Sequence, residues 1–221
     1  MGEVLENVLL EICNEVLLQA KTPESWKEAY ITLIPKEGAD ANQIKNYSSI
    51  LLLNLDYKIF MIVMVERLKK VLNDRIHPDQ NGFLSTRQIR YNTSTIIDIL
   101  EYYELHPENQ VALVFLDAKK AFDNLNWDFM KQQFYLMNFG RKFSKMLNSI
   151  YATQKVRIMI NGEITDTFEI KKGVRQGCPL SPLLFIIILE TLLDRIRSNK
   201  EIKGTKIKNI SYKHLLMTWY L

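Results

Sequence analysis

The stretch QVALVFLDAKKAFD, Gln110 to Asp123, carries six apolar residues in a row, Val111 to Leu116, and then stops on a carboxylate, Asp117. An unbroken, valine-rich apolar run reads as a strand buried on both faces, because a half-exposed strand would alternate. Such a strand delivers Asp117 at its end. By residue type alone, Asp117 serves equally well as the cap of the following turn. Phe122 lies five residues on, and Asp123, directly before the next helical pattern, reads as a helix cap rather than a ligand.

Outward from this stretch the periodicity changes. Apolar residues recur at helical spacing over 3–20 (Val4, Val8, Leu9, Ile12, Val16, Leu17), and a turn at Thr22-Pro23-Glu24 leads into AYITLIPK, an alternating strand ending at Pro35. KEGADANQIKNYS is a polar loop. LDYKIFMIVMVERLKKVLNDRI is a long amphipathic helix with basic residues toward its end, where the helix dipole favours them. HPDQNGFLSTRQIRYN is a polar loop, and TSTIIDILEYYEL a helix capped by Thr93 or Ser94. Beyond Asp123, NWDFMKQQFYLMNF and RKFSKMLNSIYATQ read as helices. VRIMI-NG-EITDTFEI is a hairpin whose Asn161-Gly162 pair suits a two-residue turn with positive φ. GVRQGCPLSPLLFIIILETLLDRIRSN is a loop followed by a helix, with Ser181 as N-cap and Pro182 at its first position. The sum is an α+β chain with helices covering a small antiparallel sheet.

Composition narrows the class. The chain has 221 residues, 47% hydrophobic and 24% charged, which suits one domain or two tightly joined subdomains rather than a disordered polymer. Its net charge of +4 tolerates a polyanionic partner without demanding one. Cys13 and Cys178 form no CxxC pair and His77, His106 and His214 stand alone, so neither a disulfide framework nor a zinc site is indicated. The amphipathic N-terminus is acidic, unlike a targeting peptide, and Glu6 stands where an N-myristoylation signal needs Ser or Thr. The apolar runs SSILLL and PLLFIIIL are too short to span a bilayer, so the expectation is an intracellular protein of nucleus or cytoplasm, away from membranes.

A second segment, GVRQGCPLSPLLF, packs two glycines, two prolines and a serine around Arg175 and Gln176. Small residues there let the backbone approach a flat or charged partner closely, although an ordinary helix-entry loop has the same composition. VFLDAKKAFD and GVRQGCPLSPLLF, in this order and at this separation, resemble motifs A and B of reverse transcriptases, and the match to the non-LTR retrotransposon (LINE-1-like) type is close. The resemblance also covers PESWKEAYITLIPKEG, NYSSILLLN, the helix ending ERL, HPDQNGF, STRQIR and the NG hairpin.

The resemblance implies the right-hand polymerase fold of an RNA-directed DNA polymerase. Residues 1–108 would be an N-terminal helix and fingers, and 109–213 a palm with a ferredoxin-like antiparallel sheet, the palm incomplete and the thumb absent. Such enzymes bind an RNA template, a DNA primer and a deoxynucleoside triphosphate. They use paired Mg²⁺ ions held by carboxylates to activate the primer hydroxyl and stabilise the leaving pyrophosphate. Asp117 matches the motif A metal ligand and the Ala118 carbonyl a second contact there. Phe122 matches the aromatic gate under the incoming sugar, and Gln176 and Gly177 match the motif B loop lining the nucleotide pocket. Lys36 is a further nucleotide-contact candidate, and Arg67, Arg87 and Arg90 are candidates for template contact.

Three departures stand against that pattern. Ser48 replaces the arginine that the resemblance expects to hold the triphosphate, and a serine gives no charged bidentate contact. Tyr91 stands where an acid is common. The hairpin with an aromatic-Ala-Asp-Asp sequence, whose first Asp completes the metal site, is missing: no acid follows Glu201. The stretch YKHLLMTWYL, 212–221, supplies a reason. With one base restored after the Lys213 codon, a permitted codon choice reads Tyr-Lys-Ala-Phe-Ala-Asp-Asp-Met-Val-Phe. Met217-Thr218 forces an Asp triplet in the shifted frame, and Trp219-Tyr220 forces a Val triplet. The expectation is a frameshifted, catalytically dead polymerase fragment with an out-of-frame tail at 214–221. The alternative is a fragment that still binds nucleic acid without catalysis.

Overall fold

The computed structural model describes residues 2–84, 86–118, 120–202, 204–207 and 210–212, so the tail expected at 214–221 lies outside the described residues. In chain order the elements are α1 (Gly2–Gln19), β1 (Glu28–Pro35), β2 (Tyr47–Leu52), α2 (Leu55–Leu72), α3 (Arg90–Leu105), α4 (Trp127–Leu136), α5 (Arg141–Ile150), β3 (Gln154–Ile160), β4 (Glu163–Ile164), β5 (Phe168–Ile170), α6 (Ser181–Ser198), β6 (Thr205–Ile207) and β7 (Ile210–Tyr212). They fall into two compact units, Met1–Val65 with Lys120–Ser181, and Glu66–Lys119 with Pro182–Leu221.

The first unit holds the main sheet, in the order β2-β1-β3-β4, with β5 also paired to β3. β1 and β2 are antiparallel, with Leu33 opposite Ser49. β1 and β3 run parallel, with Ile31 opposite Ile158. The sheet is therefore mixed, which corrects the antiparallel expectation. A parallel pair needs a long crossover, and residues 36–153 supply one. The β3–β4 hairpin follows its sequence signal: Asn161 and Gly162 take φ 52° and 85°, the positive pair that a type I′ turn requires.

Aromatic side chains fix this unit's core. Trp26 meets Tyr57 edge-on at 5.5 Å and Phe60 at 5.1 Å, while its indole N–H donates to the Asp56 carboxylate at 2.7 Å. Phe134 of α4 packs with Phe139 and with Phe143 of α5. Burying each such ring contributes about 1.5–3 kcal/mol. In the second unit Leu68, Leu72, Ile76, Leu84 and Ile99 are buried, and Leu189 and Leu193 of α6 cluster with Phe185. No helix among the described residues is long and apolar enough to cross a membrane.

The strand expected at 111–116 does not form. Residues 111–118 have no regular structure, and Val114 and Phe115 are 62% and 69% exposed. A strand must satisfy its backbone groups against an edge neighbour, and no described strand pairs with this segment. Three expected helix caps also shift. Asn126, not Asp123, caps α4, accepting from the Phe129 N–H at 2.9 Å, while Asp123 lies in a turn closed on the Lys120 carbonyl. α3 starts at Arg90, ahead of Thr93 and Ser94, with Ile89 as an N-cap that makes no side-chain bond. The Ser181 hydroxyl donates to the Arg175 carbonyl at 2.8 Å instead of capping α6.

Candidate active site

The end of the first motif and the start of the second are joined through their backbones. The Val174 N–H donates to the Phe122 carbonyl at 2.8 Å, and the Gly173 N–H to the Leu125 carbonyl at 2.7 Å. The Trp127 indole N–H donates to the Gly173 carbonyl at 2.6 Å, and Lys172 Nζ reaches Asn124 Oδ1 at 2.8 Å. Gly173 is required at this junction. Its φ is +90°, and a Cβ there would sit 3.0 Å from the carbonyl oxygens of both Phe122 and Asp123.

The loop then docks on β2. The Leu51 N–H donates to the Gln176 carbonyl at 3.2 Å, and Gly177, at φ +99°, would bring a Cβ 3.1 Å from the Leu51 carbonyl. The Gln176 side chain is exposed while Arg175 beside it is buried. Alternate residues thus divide the work: Arg175 anchors the loop and Gln176 is presented to solvent. Arg175 Nε donates to Gln154 Oε1 at 3.1 Å, its guanidinium carbon lies 5.0 Å from the Tyr57 ring centroid, and its Nη2 has no hydrogen-bond partner among the described residues. The same nest of buried side chains shifts two phenols. Burial first, then the neighbouring Cys178 and Tyr151, raise Tyr57 well above the usual tyrosine range, against the pull of Arg175. Burial first, then Cys178, raise Tyr151 in the same direction. In the sequence Arg175 reads only as a donor; nothing in its neighbours signals that it points inward.

Phe122, Gln176, Gly177 and Lys36 belong to the first unit, and Asp117, Ala118, Arg67, Arg87 and Arg90 to the second. The loop geometry brings Gln176 and Gly177 against β2, and Phe122 against Val174, the second residue of the GVRQG loop. Ser48 is exposed on β2, opposite Ile34. The exposed Lys36 continues the hairpin, its N–H donating to the Asn46 carbonyl at 2.8 Å. Asp117 and Ala118 are exposed on the irregular 111–118 segment. Among the described residues no group of three or more His, Cys, Asp or Glu side chains gathers to hold a cation. The described donor set therefore does not fit a pair of Mg²⁺ ions, which need several carboxylates to balance their charge.

The three arginines differ. Arg67 is exposed on α2, and Arg90 is exposed with its guanidinium 5.5 Å from the Tyr91 ring centroid. Arg87 is committed to the protein. Its Nη1 donates to the carbonyls of His77 and Gln80, and its Nη2 to those of Asn73 and Ile76. A planar fork that satisfies four carbonyls beyond the end of α2 is a clamp, and both terminal nitrogens are used in it. That gives Arg87 a structural role.

The geometry can be set beside known proteins. A family model described as reverse transcriptase (RNA-dependent DNA polymerase) matches residues 34–213. An uncharacterized 149 kDa protein of transposon TX1 from Xenopus laevis is 32% identical over 208 residues, covering 94% of this chain and 16% of that protein. The Pol polyprotein of a type-1 retrotransposable element R2 from Popillia japonica is 27% identical over 190 residues, covering 86% of this chain and 26% of its own length. The corresponding polyprotein of element R2DM from Drosophila melanogaster is 27% identical over 207 residues, covering 94% and 19%. The chain therefore spans a quarter or less of most of these relatives' length. Matched along residues 34–213 and aligned with retrotransposon polyproteins over most of its length, this chain belongs to the reverse transcriptase family, as a domain of the non-LTR retrotransposon type.

Proposed function

We propose that the chain holds the fingers (1–108) and palm (109–213) region of a LINE-1-like reverse transcriptase, shaped to hold a primed RNA template and a deoxynucleoside triphosphate but unable to join nucleotides. The observation that carries the first half is the hydrogen-bonded junction between Phe122 and Val174, with the Gln176-Gly177 loop seated on β2. It supports a pocket in which Phe122 gates the sugar while Gln176 and Gly177 line the base. Lys36, Arg67 and Arg90 are the remaining candidates for phosphate and template contact.

The second half rests on residue identities. In the register that the resemblance sets after Tyr212-Lys213, the paired carboxylates would fall at positions 217 and 218, which hold Met217 and Thr218. Asp117 alone leaves the charge of two divalent ions unbalanced. Primer extension on a primed RNA template with Mg²⁺ tests this: no incorporation is expected, with or without Asp117→Ala. Template-dependent synthesis that Asp117→Ala abolishes would overturn the proposal of inactivity. The frameshift is tested by the DNA itself. Codons 214–218, read in another frame, should spell Phe-Ala-Asp-Asp, and a coding strand that cannot do so removes the explanation.

A further inference from the structure

Within the second unit the HPDQNG loop and the start of α3 enclose a cleft of about 280 Å³, lined by His77, Asp79, Asn81, Tyr91, Asn92 and Thr95 along with a proline. None of these side chains has a role in the reading above. The volume lies just below the ~300–1,000 Å³ typical of ligand clefts, which suits one flat ring system rather than a nucleoside triphosphate.

The lining is polar and already shaped. Asp79 is held by Arg197 through Nε–Oδ2 and Nη2–Oδ1 contacts, both 3.2 Å, and its Oδ1 lies 2.8 Å from His77 Nδ1. Arg197 also pairs with the buried Glu190 at 2.8 Å, so two carboxylates share one cation, and the cleft suits the neutral edge of a base better than a phosphate. Asn92 is 6% exposed, and its Oδ1 accepts from Asn81 Nδ2. Its own Nδ2 donates to nothing among the described residues, yet is not among the polar atoms sealed from solvent. Asn92 is among the residues that line the cleft. Tyr91 offers the opposite character: its ring is 52% exposed at the rim, with the Arg90 guanidinium 5.5 Å from its centroid.

We infer that this cleft receives one unpaired base of single-stranded RNA, stacked on Tyr91 and hydrogen-bonded by the Asn92 amide, with Arg90 beside the adjoining phosphate. An aromatic face takes any base, a fixed amide reads a base edge, and an arginine at the rim meets the backbone. The inference rests on the reverse transcriptase reading, which supplies RNA as the partner, and it adds a base-binding subsite away from the motif B loop in sequence.

The test is fluorescence anisotropy with a labelled oligoadenylate of about twelve nucleotides and a duplex RNA of equal length, using the whole chain. Tyr91→Ala should weaken single-strand binding about tenfold with the salt dependence unchanged, while duplex binding stays within about twofold. Tyr91→Phe should bind as the parent does. Arg90→Ala should lower the salt slope by about one. Thermal melting of each variant separates a binding loss from a folding loss, since Tyr91 is half exposed. If the parent binds the oligoadenylate and Tyr91→Ala binds it equally well, the subsite is wrong and the family reading stands. If the parent binds neither RNA at low salt, the proposed RNA partner falls and the subsite with it.

Discussion

Val174 donates its backbone N–H to the Phe122 carbonyl at 2.8 Å, and the residue before it must be glycine for the two chains to come so close. Gly173→Ala would place a Cβ 3.0 Å from two carbonyl oxygens at a φ of +90°. Strain and steric overlap together should cost about 3 kcal/mol. Gly38→Ala is the control: its φ is +70° but nothing lies within 4 Å, so only strain remains, about 1 kcal/mol. Urea denaturation of both variants gives the comparison. Equal losses would mean that the junction is looser than the Phe122–Val174 pairing indicates.

Arg87 should behave as a clamp. Arg87→Ala removes four charge-assisted hydrogen bonds and should lower stability by about 3 kcal/mol, since such bonds are not additive. Arg87→Lys should recover less than half, because an ammonium cannot fork to carbonyls on both sides. Amide exchange should quicken locally at Arg75, Ile76 and Gln80, whose N–H groups close turns in the same segment. RNA affinity per folded molecule and its salt slope should not change. A reduced slope would return Arg87 to the template surface.

What could be read from the sequence depended on the range of the interaction. Asn161-Gly162 specifies its turn locally, and the helices follow their own periodicity, so both were legible. The run Val111–Leu116 has strand chemistry, but a strand also needs an edge partner, and no local residue supplies one. The parallel pairing of β1 with β3 joins segments more than a hundred residues apart. The α4 cap went to Asn126 over Asp123 because Asn126 is the residue whose oxygen reaches the Phe129 N–H. The close backbone approach at Gly177 was legible in the small residues of its loop. Arg87 and Arg175 were not, because the groups that capture them come from other turns and strands.

The buried phenols predict a loss of stability at high pH. Burial raises both Tyr57 and Tyr151 above the ordinary tyrosine value. Raised folded values mean that their contribution is complete below the unfolded value near pH 10 and is lost as pH rises above it. Between that point and the folded values the unfolded chain has released both protons and the folded chain neither. Stability should therefore fall by about 1.4 kcal/mol per pH unit for each tyrosine. Tyr57→Phe should halve the slope that these two produce. Urea midpoints measured from pH 9 to 11 provide the check, and a slope unchanged in Tyr57→Phe would show that this phenol ionises normally in the folded state.

Arg175 is a buried cation with no carboxylate partner among the ion pairs of the described residues, so its charge is a cost that its contacts must offset. It keeps one hydrogen bond to Gln154 and the face of Tyr57, and its Nη2 is unsatisfied. Arg175→Ala should lose about 3 kcal/mol through the cavity it opens. Arg175→Met fills that space without the charge, but leaves Gln154 Oε1 unpaired in a buried position, so it should lose about 1 kcal/mol. Adding Gln154→Leu removes that orphan acceptor, and the double variant should be at least as stable as the parent. The cycle therefore isolates the polar pair from the packing. If the double variant is less stable than Arg175→Met alone, Gln154 is worth more to the chain through its Nε2 bond to the Ile150 carbonyl than through Arg175.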